Sequence, residues 1–356
     1  MARGKASVLG AVLVMATAGM ACGGSPAPAA APSNAPIEVN FAVANNMLHT
    51  PEFVALEKGF LLKHGIKAKF QVFNSGGEIN KAVQAGTVQI GGGGDTATPT
   101  AIAAGIPLFT FAPYMQDATT ARGDEALAVV ARTDSGIKAG DWSSFSGKKV
   151  GMVTGGTGDA FFRAWLTRKG VDSKKVTVQN LQPGDMLGAM QAGQVDAISS
   201  WEPYQTLILD TMGAQAFLFQ RAGGVIGYVL GEGTLQDWAK AHPDLVQAIT
   251  DAMAESTHWT RGHVDEAAVI ATHWIQGLDA KVAKDAIKNI PFDPRVNDCT
   301  FKAYAISAQL LVDQKKLKEL VPTEKMIVDT YAAKTQKAHP EWYRDLKLVP
   351  ASCPTV

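Results

Sequence analysis

Apolar and polar residues alternate over 39–44 (Val39-Asn40-Phe41-Ala42-Val43-Ala44), the period of a strand with one buried face. The turn-forming run from Asn45 to Pro51 leads into a helical stretch over 52–60, punctuated by Gly59. Alternation returns at 67–73, where Ala68, Phe70 and Val72 oppose Lys67, Lys69 and Gln71. After Ser75-Gly76-Gly77, the spacing of Ile79, Ala82 and Val83 predicts a helix over 78–85, closed by Gly86. A short strand at 88–90, a glycine loop at 91–95, a helix at 96–104 and a strand at 108–112 follow.

The same logic recurs downstream. A strand at 148–153 runs through a glycine turn at 154–158 into a helix at 159–169 with Phe161, Phe162, Trp165 and Leu166 on one face. Strands at 175–181, 195–200 and 216–220 alternate with helices at 186–192 and 203–212. Segments 126–132 and 225–231 read as strands that leave and re-enter the first unit. From Thr234 onward the pattern is almost wholly helical, over 235–241, 243–260, 264–276, 280–289, 301–315 and 324–334. Strand–loop–helix alternation argues for parallel α/β sheets, whose loops gather at the carboxyl edge where ligands bind. Two such units joined by two crossings make a hinge with a cleft between lobes.

Composition narrows the function. With 33 lysines plus arginines against 33 acids, the chain is neutral and lacks the charge excess that phosphate backbones select, so no nucleic-acid partner is expected. Hydrophobic residues at 46% and charged ones at 19% are those of a packed protein. Arg3 and Lys5 precede the uncharged stretch 6–21, whose apolar part, 8–15, is too short to span a bilayer and reads as an export signal. Cys22, directly after the small Ala21, resembles a bacterial lipoprotein box, though Gly19 stands where leucine is usual. The resemblance implies lipid on Cys22 and a membrane-anchored protein of the cell envelope or periplasm; simple cleavage near Ala21 is the alternative. Residues 23–36, rich in Pro, Ala, Gly and Ser, cannot build a core and read as a tether. Cys299 and Cys353, 54 positions apart, can pair in an oxidising compartment; two separate buried thiols are the alternative.

Several motifs are excluded by what they lack. Gly151-Met152-Val153-Thr154-Gly155-Gly156-Thr157 has the glycine spacing of a P-loop, but Thr157 replaces the phosphate-binding lysine. A strand ending in a glycine turn before a helix still presents unpaired N–H groups that can hold an oxyanion. Asp159 there either caps its own helix or meets a ligand. The four glycines Gly91–Gly94 bring the backbone close to a ligand or to a neighbouring strand. The histidines and cysteines make no metal-spaced cluster, and no Gly-x-Ser-x-Gly elbow occurs, so no metal, cofactor or catalytic residue is expected.

The run Val195-Asp196-Ala197-Ile198-Ser199-Ser200-Trp201-Glu202-Pro203-Tyr204, after Ala189-Met190-Gln191-Ala192-Gly193-Gln194, resembles the periplasmic binding proteins of ABC importers for nitrate, taurine, aliphatic sulfonates and thiamine-precursor pyrimidines. Glu57-Lys58-Gly59-Phe60, Ser75-Gly76-Gly77-Glu78, Ala104-Gly105-Ile106-Pro107 and Ser146-Gly147-Lys148-Lys149-Val150 agree in order, so the resemblance covers residues 37–230. It implies the type II periplasmic-binding-protein fold, two α/β lobes around a cleft with a hinge, followed here by a helical C-terminal tail. The expected organisation is an export signal (1–21), a tether (22–36), the first part of lobe 1 (37–132), lobe 2 (133–225), and the lobe 1 return with the tail (226–356).

The resemblance places ligand contacts at Asn45, Asn46, His49, Gly76, Gly77, Asp95 and Thr96, with Tyr114 a further candidate. On the second lobe it places them at Gly156, Thr157, Asp159, Trp201, Glu202 and Tyr204. Trp201 and Tyr204 offer aromatic faces to a cation or ring, and Trp201 can equally be a core residue. Glu202 faces the cleft or caps the helix after Pro203. These loops carry Asp95, Asp159 and Glu202 but no lysine or arginine, which disfavours a small inorganic anion unless Arg122, Arg163 or Arg221 reaches in. The expectation is a monomeric, non-enzymatic protein that passes an amine-bearing, zwitterionic or heteroaromatic molecule, with a taurine-like sulfonate included, to an importer's permease and ATPase. A sensor subunit for a membrane kinase is one alternative. Another is an enzyme resembling the fungal maker of the thiamine pyrimidine, whose cysteine-rich motif is missing here.

Overall fold

The computed structural model describes residues 35–354; the export signal, Cys22 and the tether up to residue 34 lie outside the described residues. The strands are β1 (Ile37–Ala44), β2 (Ile66–Phe73), β3 (Gly93–Gly94), β4 (Leu108–Met115), β5 (Leu127–Arg132), β6 (Lys149–Met152), β7 (Thr177–Asn180), β8 (Ala197–Trp201), β9 (Ala216–Arg221) and β10 (Leu230–Leu235). In the first lobe β1 and β2 pair in parallel, Ile37 opposite Ile66, and Phe41 bridges to Ile90. Beside them lies a sheet of order β3-β10-β4, in which β10 is antiparallel to both neighbours. The second lobe is one sheet of order β7-β6-β8-β5-β9.

Strands linked by helices are parallel, as β6 is to β7 and β8, but β5 is antiparallel to β8 and β9. The five-stranded sheet is therefore mixed and the three-stranded sheet antiparallel in its pairings, while β1–β2 is parallel. The exceptions, β5 and β10, are the strands that arrive from the other lobe, so no crossover helix sets their direction.

Three local departures from the sequence pattern have identifiable causes. Gly59, at φ +76°, divides the helical stretch 52–60 into Thr50–Glu57 and Phe60–Lys63. The returning strand covers 230–235 rather than 225–231: apolar Val225, Ile226 and Val229 are buried in the crossing, while the strand contains Gly231-Glu232-Gly233, which reads as a turn. The helix expected at 324–334 is two helices, Thr323–Met326 and Thr330–Ala338, because the Val328 N–H donates instead to Thr110 O (3.1 Å).

Each lobe has its own aromatic anchor. In the second, Trp142 stacks on Trp165 (5.3 Å) and meets Phe219 edge-on (4.9 Å). In the first, Phe53 stacks on Trp274 of the tail at 5.3 Å, and Ser256 donates to Pro51 O, so tail helices back the helix that begins at Thr50. Cys299 and Cys353 form a buried disulfide packed against Ala121 in the first crossing. Asp124 fastens the two crossings together, accepting from the Gly224 (3.0 Å) and Val225 (2.9 Å) N–H groups. None of the described helices is long and apolar enough to cross a membrane.

Candidate functional site

A cavity of about 220 Å³ lies between the lobes, at the ends of β1, β4 and β8. That is below the range of about 300–1,000 Å³ that holds drug-sized molecules, so the space suits a small one.

The first wall starts after β1. Asn46 Oδ1 accepts from Leu48 N–H (3.0 Å), shaping a tight turn that delivers His49 to the start of the helix Thr50–Glu57. Glu52 follows in that helix's first turn, and both side chains are buried. Tyr114 on β4 donates to Glu52 Oε2 (2.7 Å) and lies 3.1 Å from His49 Nδ1, while His49 Nδ1 also contacts Glu52 Oε2. From β10, Glu232 brings a second buried carboxyl against Glu52. Burial raises Glu52 to about 8 and holds Glu232, aided by the charge of Glu52, well above the carboxylate range. Burial likewise lowers His49 to about 4. Desolvation thus disfavours the charged form of both His49 and Glu52 although they touch, and the pull of Glu232 on His49 offsets it only in part.

Ser75 caps the helix Gly76–Gln84 through Glu78 N–H (3.3 Å), and Gly76 and Gly77 border the cavity at its first turn. The glycines at 91–94 serve close backbone packing: a Cβ on Gly93 would meet Gly231 O at 2.3 Å, and one on Gly91 would meet Ala42 O at 2.6 Å. Asp95 lines the cavity but is buried, accepts from Ser307 Oγ, and is pushed by burial to about 7. Thr96 reaches across the cleft to Thr157, Oγ1 to Oγ1, at 3.1 Å.

On the second lobe, Val153 to Gly156 and Thr157, at the start of the helix Thr157–Arg168, face the cavity. Asp159 does not. Its carboxylate accepts from Gly155 N–H (2.9 Å) and pairs with Arg163 (2.5 Å) and Lys316 (2.9 Å). Burial alone would raise it; Lys316, the Gly155 N–H and Arg163 together hold it below the usual range.

Trp201, at the end of β8, lines the cavity with its indole N–H unpaired. The next residue, Glu202, is turned away onto Arg221 (2.8 Å), Thr206 (2.9 Å) and Asn289 (2.7 Å). Tyr204 hydrogen-bonds Asn45 O (2.6 Å) across the cleft, and the Asn45 side chain meets Asn74 (3.1 Å). Neither Tyr204 nor Asn45 borders the cavity, so they join the lobes rather than line the space.

Asn46, His49, Gly76, Gly77, Asp95, Thr96, Tyr114, Gly156, Thr157 and Trp201 therefore surround one space, while Asn45, Asp159, Glu202 and Tyr204 stand behind it. Among the described residues no lysine or arginine lines it: Arg122 donates to Gly224 O (3.0 Å), and Arg163 and Arg221 are held by Asp159 and Glu202. The acids that border or back the cavity differ from those expected. Asp159 and Glu202 are neutralised by cations, and the weight passes to Asp95 together with Glu52 and Glu232, which sequence reasoning missed. The available signals were an acid directly before the apolar stretch Phe53-Val54-Ala55-Leu56 and a glutamate between two glycines.

The family described as NMT1/THI5 like matches residues 46–267. A Bacillus subtilis protein named for binding aliphatic sulfonates is 27% identical over 296 residues, covering 82% of this chain and 86% of its own. The taurine-binding periplasmic protein of Escherichia coli is 26% identical over 220 residues, covering 61% and 65%. Among solved structures, the alkanesulfonate-binding protein of Xanthomonas axonopodis bound to MOPS superposes with a TM-score of 0.70 at 18% identity, over 83% of this chain and 99% of its own. The chain belongs to the NMT1/THI5-like family and has the two-lobed fold of the periplasmic binding proteins.

Proposed function

We propose that this protein is the solute-binding component of an ABC importer, exported and held at the membrane by lipid on Cys22. It captures a small organic molecule that carries an amine, a zwitterion or a basic heteroaromatic ring. One observation carries the ligand class: the cavity combines helix starts at Gly76, Gly77 and Thr157 with buried acids, and among the described residues no lysine or arginine borders it. Backbone N–H groups at those starts suit an oxyanion, and Glu52 suits a nitrogen cation. A taurine-like zwitterion satisfies both ends, and Trp201 offers a flat face beside them. Capture shifts the lobes toward closure, and the permease and ATPase respond to the closed shape.

Thermal-shift titration of the purified full chain tests this reading, using matched pairs with and without an amine: taurine against ethanesulfonate, and aminomethylpyrimidine against methylpyrimidine, with nitrate as control. The expected result is stabilisation by an amine-bearing member at least tenfold more potent than by its partner, roughly the 1.4 kcal/mol of one charge-assisted hydrogen bond. Equal response to both members, or a response to nitrate, overturns the ligand class.

A further inference from the structure

The acids of the first wall hold more acceptor capacity than the protein uses. Glu52 takes the Tyr114 hydroxyl, the His49 contact and a hydrogen bond shared with Glu232, whereas Glu232 has no hydrogen-bond partner in the protein besides Glu52. The titratable groups facing this pair are His49 from the turn after β1, Tyr114 from β4 and, beyond Tyr114, Tyr228 and then Asp95. None is a lysine or arginine. Independently of the acids, two more buried polar side chains that line the cavity have an unpartnered atom, the indole N–H of Trp201 on the opposite wall and Oδ1 of Asn80, although each residue is more than nine-tenths buried. A buried polar atom without a partner costs free energy that a ligand can return.

We propose that Glu52, backed by Glu232, is the receptor for an ammonium group or a protonated ring nitrogen of the ligand, and that this group enters in exchange for one proton of the pair. The proposal rests on the binding-protein reading above and deepens it. Two carboxyls in a dry site retain their protons because neither has a permanent cation beside it. An N–H cation supplies that missing charge. One proton then leaves the pair for solvent, the ligand's N–H groups donate to the freed oxygens, and the second proton remains between the two carboxyls. Glu52 makes the contact because it borders the cavity; Glu232 stands behind and acts through it. One proton exchanged per cation makes affinity rise about tenfold per pH unit below the midpoint of the pair.

Side-chain carboxyl NMR of the full chain labelled at glutamate, with methylammonium chloride as probe, reads both halves of the proposal without the physiological ligand. The wild-type pair should titrate above the ordinary glutamate range. Methylammonium should lower the midpoint, while tetramethylammonium chloride and sodium chloride leave it in place. Glu232→Gln should weaken methylammonium at least tenfold and flatten its pH dependence. Titration of the wild-type pair in the ordinary range overturns the proposal, as does indifference to methylammonium or an equal response to sodium; these readings need no variant to fold. A positive methylammonium titration with a failed shift screen would discard the ligand class and keep the cation receptor. The reverse result would discard the receptor and keep the binding protein.

Discussion

The two walls of the cleft use the same residue types in opposite ways. On the second lobe, Asp159 is held by Arg163, Lys316 and a turn N–H, and Glu202 by Arg221, Thr206 and Asn289. On the first, Glu52 and Glu232 are as deeply buried but meet only each other, Tyr114 and His49. A carboxylate with a cation beside it is structural, because removing it strands the cation. One without a cation is a cost that the fold bears for some other purpose. Burial alone therefore does not tell scaffold from site; the presence of a permanent counter-charge does.

The largest expected effect breaks the cation-paired side. Glu202→Ala leaves Arg221 and Asn289 without their partner and should cost about 3 kcal/mol in denaturant unfolding, and Asp159→Ala should cost a comparable amount. Glu232→Gln, which removes a charge-capable group that has no cation, should leave stability at neutral pH unchanged or raised. Should the two lobes lose equal stability, the contrast between the walls falls.

Next in size is the backbone that carries Asp95 and Thr96 to the cavity. Gly93→Ala puts a methyl 2.3 Å from Gly231 O and should cost about 1–3 kcal/mol by forcing β3 from β10. Gly184→Ala, whose new methyl meets nothing within 4 Å, is the control and should unfold like the wild type.

A further effect sharpens the comparison through pH. Glu52, raised from 4.5 to about 8, keeps its proton in the folded state over a range where the unfolded chain has lost it, so its contribution to stability falls as pH rises across that window. Asp95, raised to about 7, acts in the same sense. His49, lowered from 6.5 to about 4, acts oppositely: the unfolded chain binds the extra proton there, so stability falls as pH drops through that interval. With two acids against one histidine, the melting temperature should fall as pH rises from about 4.5 toward 8, and Glu52→Gln should flatten that fall. A profile that still rises toward pH 8 would contradict the neutral state assigned to the first wall.

Much of the fold and part of the site were legible in the sequence, for one reason. Strand ends followed by Gly, Ser or Thr and then a helix are local patterns, and they mark Gly76, Gly77, Thr96, Gly156 and Thr157 on the cavity wall. What could not be read was the company each acid keeps. Lys316 reaches Asp159 from 157 positions away, and Tyr114 reaches Glu52 from 62. Neither pairing leaves a trace in the local pattern around the acid. The strand that carries Glu232 was displaced for a related reason: two glycines that permit β10 to press against β3 and β4 look, in isolation, like a turn.

The crossing between the lobes gives the molecule an optical gauge. Ala222, Gly223 and Gly224 all adopt positive φ (49°, 118° and 65°), and Gly223 leaves so little room that a Cβ there would lie 2.1 Å from the indole of Trp165. That indole donates to Ala222 O at 3.2 Å, so its excited state is coupled to the backbone that must turn when the lobes part. Asp124 ties this crossing to the other, so a rearrangement of the crossing should change the emission of Trp165. Opening and closing can be timed by stopped-flow fluorescence with no attached dye, taking Trp165→Phe as the blank.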